Sequence, residues 1–277
     1  MSIQSKVWFI TGTSSGFGRE IALEALGRGD SVVATARDPK SLDDLVQRAP
    51  DRVLAVRLDV TQPEQIQSAI QEAYGRFGAI DVLVNNAGYS VVGAVEETSD
   101  AELRSALETM FFGAAALTRA VLPRMRARKT GTIVQISSVG GVITAPGFGA
   151  YCAAKHALEA LSEALASEVT PFGIRVLIVE PGAFRTSLFG AAFRSIPALE
   201  AYAATVGPTR NYAAESAGKQ PGSPAKAAHA IVETVAAGAP SLRLPLGADA
   251  VASMRDKLAK VRADVDAMES VAIATAL

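Results

Sequence analysis

Short apolar runs alternate with segments of helical period along this chain, and that alternation restricts the fold more than any other feature. Lys6 to Ile10, Ser31 to Ala36, Val53 to Leu58, Val82 to Val84, Thr132 to Ile136 and Ile174 to Val179 read as strands. Between them Arg19 to about Leu26, Ser41 to Arg48, Gln62 to about Tyr74, Asp100 towards Arg128, and Ala150 to Val169 read as helices, with Gly27 and Gly29 stopping the first. Parallel strands need crossover connections, which helices supply, and such crossovers are right-handed. The pattern therefore predicts an α/β fold: a three-layer, doubly wound arrangement with a mostly parallel sheet and helices on both faces. A helix from Pro224 to about Ala237 and a strand near Leu242 to Leu244 complete the core.

Outside that core the pattern changes. From Phe184 to Pro224 the periodicity weakens, Gly, Pro, Ala and Ser become frequent, and a mobile cover with short helices is expected. Ala248 to Leu277 reads as an Ala-rich helical appendage, either packed on the domain or used in association. The chain is thus expected to be one domain over residues 1–277, with its core at about 5–247.

Where the first strand turns into the first helix stands Thr11-Gly12-Thr13-Ser14-Ser15-Gly16-Phe17-Gly18. Glycines in a strand-turn-helix setting let the backbone turn tightly and approach a pyrophosphate, whose charge the free N–H groups of a helix N-terminus favour. A second constellation lies downstream. Tyr151 and Lys155 are four residues apart on a helix, hence on one face about 5–6 Å apart at Cβ, and Ser138 precedes Tyr151 by 13 residues. A free tyrosine titrates near pH ~10, and a nearby ammonium would lower that value and fit the phenol for proton transfer. Ser138 would hydrogen-bond a substrate oxygen, with Ser137 as the alternative donor. By itself the Tyr-x-x-x-Lys spacing is common on helices; the nucleotide-type turn is what gives it weight.

Composition removes other classes. The 277 residues carry 49% hydrophobic and 20% charged side chains with a net charge of −1, which fits a globular chain and argues against binding nucleic acid through phosphate neutralisation. Arg124, Arg126, Arg128 and Lys129 close a helix, where cations complement its C-terminus. One cysteine, Cys152, and two distant histidines, His156 and His229, leave neither a disulfide framework nor a metal site to be expected. Met1 to Ile10 has no long apolar region with a cleavage site, and no apolar stretch reaches the ~18 residues of a spanning helix, so a cytoplasmic protein without membrane partners is expected.

Thr11 to Gly18, Asn85-Asn86-Ala87-Gly88, Ser138, Tyr151-x-x-x-Lys155 and Pro181-Gly182-Ala183-Phe184-Arg185-Thr186 together resemble the short-chain dehydrogenase/reductase family, over about residues 5 to 247. The resemblance implies a seven-stranded Rossmann sheet and a nicotinamide cofactor across its C-terminal edge. It implies that Gly12, Ser14, Ser15, Gly16, Phe17 and Gly18 hold the cofactor, that Asp59 and Val60 flank the adenine, and that Asn86, Ala87 and Gly88 lie near the adenosine ribose. Pro181, Gly182, Phe184 and Thr186 would line the nicotinamide side. Tyr151 would be the acid in reduction and the base in oxidation, Lys155 would hold the ribose and favour the phenolate, and Ser138 would orient the carbonyl. A homodimer or homotetramer is implied as well, with the helices near 100–128 and 150–170 as candidate contacts.

Two positions refine these expectations. An acid after the second strand would bind the ribose hydroxyls and repel a 2′-phosphate, whereas Arg37 follows Ala36 here, which favours NADP(H) over NAD(H). NAD(H) remains possible, since Asp38 could engage Arg37. The family's fourth catalytic position is an Asn, and Met110 stands in its place in Thr109-Met110-Phe111-Phe112-Gly113. Methionine keeps the main-chain carbonyl but lacks the side-chain hydrogen bonds, so a weakened proton relay is expected. That departure sustains the alternative of an NADP(H)-binding sensor or scaffold with little turnover; epimerisation is a lesser one. For the substrate, Val139, Gly140, Gly141, Val142, Ala145, Phe148, Phe184, Leu188, Phe189, Phe193 and Tyr202 are expected to give an apolar lining suited to a hydrophobic ketone, aldehyde or secondary alcohol.

Overall fold

A computed structural model describes residues 5–276. Strands β1 (Val7–Ile10), β2 (Ser31–Ala36) and β3 (Val53–Arg57) alternate with helices α1 (Gly16–Gly27), α2 (Asp43–Arg48) and α3 (Pro63–Phe77). Strand β4 (Val82–Asn85) leads through a short β5 (Ser90–Val92) to α4 (Asp100–Leu107) and α5 (Gly113–Arg128). Then come β6 (Gly131–Ile136), α6 (Gly149–Val169), β7 (Ile174–Pro181), β8 (Phe193–Ser195), α7 (Gly207–Ser216), α8 (Pro224–Ala236), β9 (Arg243–Leu246) and α9 (Ala248–Ile273).

Seven strands form one parallel sheet in the order β3-β2-β1-β4-β6-β7-β9. Side chains alternate across it with the strand period of two. Trp8, Ile10, Val32 and Ala34 pack with Ile21 and Ala25 of α1 and Ile231 and Val235 of α8, while Phe9, Val33 and Leu83 pack with Ile70 of α3, Leu117 and Val121 of α5 and Leu165 of α6. Burial on both faces is why these strands read as continuous apolar runs.

The chain runs outward from β1 in both directions, so the strand order reverses between β1 and β4. A crevice must open there outside the carboxyl ends of the strands.

Two elements differ from the sequence reading. The segment from Asp100 to Arg128 is not one regular helix: Glu108–Phe112 forms a π turn in which the N–H of Gly113 reaches the Glu108 carbonyl, five residues back. The cover also contributes β8, which pairs in parallel with β5, joining Ser90–Val92 to Phe193–Ser195 as a second small sheet. Both β5 and β8 are three residues long, too short to leave a periodic signal in the sequence.

Candidate active site

At the mouth of the crevice the glycine loop is clamped by β4. Thr11 Oγ1 accepts the N–H groups of Asn86 (2.8 Å) and Ala87 (2.9 Å), and Asn86 Nδ2 donates to the carbonyls of Thr11 (2.8 Å) and Gly12 (3.1 Å). Gly18 has to be glycine because a Cβ there would collide with the Gly12 carbonyl oxygen and lie 2.5 Å from Asn86 Nδ2. Gly12 and Gly16 take positive φ values of 69° and 58°, which lets the loop bend under the crevice. Ser15 caps α1 without a side-chain hydrogen bond to its first turn, leaving the N–H groups there directed at the crevice.

The crevice has a volume of about 710 Å³ and runs from this loop to α6. Gly12, Ser14, Ser15, Gly16 and Phe17 line its entry with Arg37, Asp59 and Val60; Asn86, Ala87 and Gly88 line its middle; Ser138, Tyr151, Lys155, Pro181, Gly182, Phe184 and Thr186 line its far end. Gly18 supports the loop from beneath. Arg37 is exposed and has no acidic partner among the described residues, because Asp38 turns away to accept the N–H of Lys40 at 3.1 Å. Asp59 uses one carboxylate oxygen to hold the N–H and hydroxyl of Thr61 (3.0 and 2.8 Å).

The buried far end brings Ser138, Tyr151 and Lys155 together. Tyr151 is 7% exposed, and burial pushes its phenol up to about 12, against the opposing effect of a hydrogen bond with Ser138. Gly140 permits that approach, since a Cβ on it would stand 3.1 Å from the Tyr151 ring. Lys155 is pulled down to about 8, mainly by burial, with Glu159 one helical turn away acting in the other direction. Its ammonium donates to the Ile136 carbonyl at 2.7 Å and lies 5.9 Å from the centre of the Tyr151 ring. Desolvation therefore outweighs the lowering expected from this cation, whose ammonium is held at a β6 carbonyl.

Ser137, the alternative donor, borders the same crevice. Its hydroxyl is buried without a partner beside Gly141 and Glu159. Behind it lies a charged cluster that the sequence reading did not identify. Arg243 of β9 donates to Glu159 Oε2 at 2.6 Å and also bonds Glu180 of β7 and Glu163 of α6. Burial and the nearby Glu159 raise Glu180 to about 7, although Arg243 opposes them. No spacing rule links α6, β7 and β9, so only the sheet order reveals this group.

Met110 sits in the π turn, 1% exposed, packed with Tyr151, Cys152 and Ala154 of α6. A Cβ on Gly88 would touch its Cγ at 3.3 Å and stand 3.8 Å from Lys155 Nζ. The distortion of this helix is thus present with methionine at its centre. A cavity of about 10 Å³ lies between Met110, Thr11 and Lys155, close to the space one water needs.

Over the far end, Val139, Gly140, Ala145, Phe148, Phe184, Leu188 and Phe189 line the crevice as expected. Gly141, Val142, Phe193 and Tyr202 do not: Gly141 backs onto Glu159, Phe193 and Tyr202 pack around Val92 and Val206, and the Tyr202 hydroxyl bonds Glu96. Residues missed by the sequence reading take part instead. Tyr212 meets Phe189 edge-on at 6.0 Å, and the Arg194 guanidinium lies 4.0 Å from the Tyr89 ring centre. Ser15 and Ser187 hydroxyls bond at 3.0 Å and Phe17 meets Phe184 at 5.3 Å, tying the cover to the glycine loop.

The chain belongs to the short chain dehydrogenase family, whose profile matches residues 6–196. It is 42% identical over 248 residues to an oxidoreductase, BOA17, of Botryotinia fuckeliana, covering 89% of this chain and 90% of that one. The crystal structure of a short-chain dehydrogenase from Streptomyces avermitilis superposes with a TM-score of 0.93 at 52% identity, with both chains covered completely. A short-chain dehydrogenase/reductase from Burkholderia phymatum, solved with NAD, shares the fold at 24% identity and a TM-score of 0.81, with 92% of this chain and 93% of that one covered. The protein is accordingly a nicotinamide-dependent oxidoreductase. Among the described residues no helix is long and apolar enough to cross a membrane, and no group of side chains has the makings of a metal site.

Proposed function

We propose that this protein is an NADP(H)-dependent oxidoreductase that interconverts a hydrophobic carbonyl compound and its alcohol, with Tyr151, Lys155 and Ser138 at the reacting end. The observation carrying this reading is the convergence of buried Tyr151 and Lys155 with half-buried Ser138 at one end of a crevice whose other end holds an unpaired Arg37 beside an open helix N-terminus. The crevice fits a dinucleotide on its own chemistry. Backbone N–H groups at the start of α1 suit a pyrophosphate, Gly12, Gly16 and Gly18 leave the room that side chains would fill, and a guanidinium that neither Asp38 nor Asp59 pairs with suits a 2′-phosphate.

When bound, the nicotinamide would give hydride to the substrate carbon or accept it from that carbon. Ser138 would donate a hydrogen bond to the substrate oxygen and so orient the carbonyl. Tyr151, held as a neutral phenol by burial, would donate its proton to that oxygen in reduction and take it back in oxidation. Lys155 would supply positive charge as the phenolate develops, and its bond to Ile136 holds it at the carboxyl end of β6, two residues before Ser138. The aromatic cover would keep water from the site and accept an apolar substrate, with Arg194 as a cation at its rim.

A binding role with little turnover is the second reading, favoured by Met110 in the π turn and by the engagement of Lys155 with the Ile136 carbonyl. Both cofactors should be offered with a panel of hydrophobic ketones and aldehydes. We expect nicotinamide absorbance to fall, with kcat/KM for NADPH exceeding that for NADH, and Arg37→Ala to raise the KM for NADPH about tenfold or more while sparing NADH. A clear NADH preference would overturn the assignment of Arg37; fluorescence change without absorbance loss would favour the binding role.

A further inference from the structure

Helix α9 is tied to the domain only at its base. Asp249 accepts the N–H of Ala183 at 2.7 Å and Ala250 is buried, but every described residue from Arg255 to Ala276 is exposed. The helical part of that stretch, through Ile273, projects for about 28 Å at the usual rise. Solvated helices of this length are marginal alone and gain most of their stability from packing an apolar face.

The exposed face has a definite period. Leu258, Val261, Val265 and Met268 follow one another at intervals of three, four and three, and Val251 and Met254 continue the same spacing towards the base while Ala272 continues it towards the tip. This is the a/d seam of a coiled coil, with Leu258 and Val265 at a and Val261 and Met268 at d. Leu258, Val265 and Met268 are 63%, 62% and 55% exposed, so the seam faces solvent.

Charge along α9 selects the occupant. Arg255, Lys257, Lys260 and Arg262 against Asp256 leave the basal half at +3, whereas Asp264, Asp266 and Glu269 leave the outer half at −3. Two parallel copies would place Lys257 against the partner's Arg262 and Asp264 against the partner's Glu269, repelling at both flanking positions. Two antiparallel copies would lay each basic half on an acidic half, stacking Leu258 on the partner's Met268 and setting Arg255 against the partner's Glu269 at both ends. Arg262 and Asp264 would each meet their own kind at the centre, so two attractive pairs stand against two repulsive ones where the parallel pair has four repulsive ones. Arg262 makes only a long 3.7 Å pair with Asp266 in its own helix, and Arg255 and Glu269 have no ionic partner among the described residues.

We infer that α9 pairs with α9 of a second copy of this chain as an antiparallel coiled coil. Sedimentation velocity of the full-length protein over a concentration series tests this. The exposed double variant Leu258→Asp/Val265→Asp should lose one association step, its dissociation constant rising at least about tenfold, with an unchanged melting temperature for the Rossmann core. Glu269→Arg should weaken the same step about tenfold, and adding Arg255→Glu should restore it by exchanging the two charges. In a parallel pair Glu269→Arg would instead strengthen association, because it would face Asp264. Association unchanged by Leu258→Asp/Val265→Asp, association strengthened by Glu269→Arg, or no recovery in the charge exchange would each overturn the assignment.

Discussion

At the glycine-loop end of the crevice, position is set by directed hydrogen bonds: Thr11 Oγ1 accepts two N–H groups of the β4 turn, and Asn86 returns two bonds to the loop carbonyls. At the far end, Phe189 meets Phe148, Phe193 and Tyr212 at about 6 Å between ring centres, in contacts with no comparable directionality. The first arrangement admits few alternative side chains, since each bond needs a given donor and a given separation. The second tolerates any apolar group of about the right volume. On the proposed function, one fold combines a rigid grip for the cofactor with a cover free to vary for a particular substrate.

Substitutions at the two ends should separate these roles. Tyr151→Phe keeps the ring and its packing while removing the proton, and kcat should fall by about 10³; retention of most of the turnover would break the assignment of Tyr151. Gly18→Ala forces a methyl group onto the Gly12 carbonyl and Asn86 Nδ2, so cofactor affinity should drop by about 10², measured by fluorescence titration. Unchanged affinity would mean that the loop is looser than its hydrogen bonds indicate.

A smaller effect comes from the wall behind Ser137. Glu180 is raised to about 7, so between about pH 4.5 and 7 the folded protein keeps a proton that the unfolded chain has lost, and stability declines as pH rises through that window. The slope is at most about 1.4 kcal/mol per pH unit. Glu180→Gln should flatten it in urea denaturation; an unaltered slope would show that Glu180 stays ionised. Smallest is Phe189→Ala, expected to raise substrate KM about tenfold, to cost about 1 kcal/mol of stability and to leave cofactor affinity unchanged. Loss of cofactor affinity in that variant would couple the two ends and weaken the contrast between them.

The same contrast governs what could be read from the sequence. The sheet was legible because its inner strands, β1, β2, β4, β6 and β7, are buried on both faces, and the glycine loop because Gly12, Gly16 and Gly18 answer to backbone geometry within a few residues. Tyr151 and Lys155 were legible through helical spacing, and Ser138 through its distance from Tyr151. The direction of the phenol's shift was not, because it depends on burial and on where the Lys155 ammonium points. The Glu159, Glu180 and Arg243 cluster assembles from three elements that only the sheet order brings together. Phe193 and Tyr202 were assigned to the substrate lining on composition, and they pack the cover instead, since aromatic character alone says nothing of which surface a ring faces. Arg194, Tyr89 and Tyr212 carried no signal that separates them from ordinary surface residues.

Binding and chemistry should come apart most directly in a titration of the Tyr151→Phe and Gly18→Ala variants with NADPH, measured beside their turnover of a hydrophobic ketone. The expected result is that Tyr151→Phe binds NADPH within about threefold of the wild-type affinity yet turns over about 10³ more slowly, while Gly18→Ala loses affinity first. Equal loss of binding and turnover in Tyr151→Phe would contradict the account, because the tyrosine would then serve the cofactor's grip and not the proton transfer.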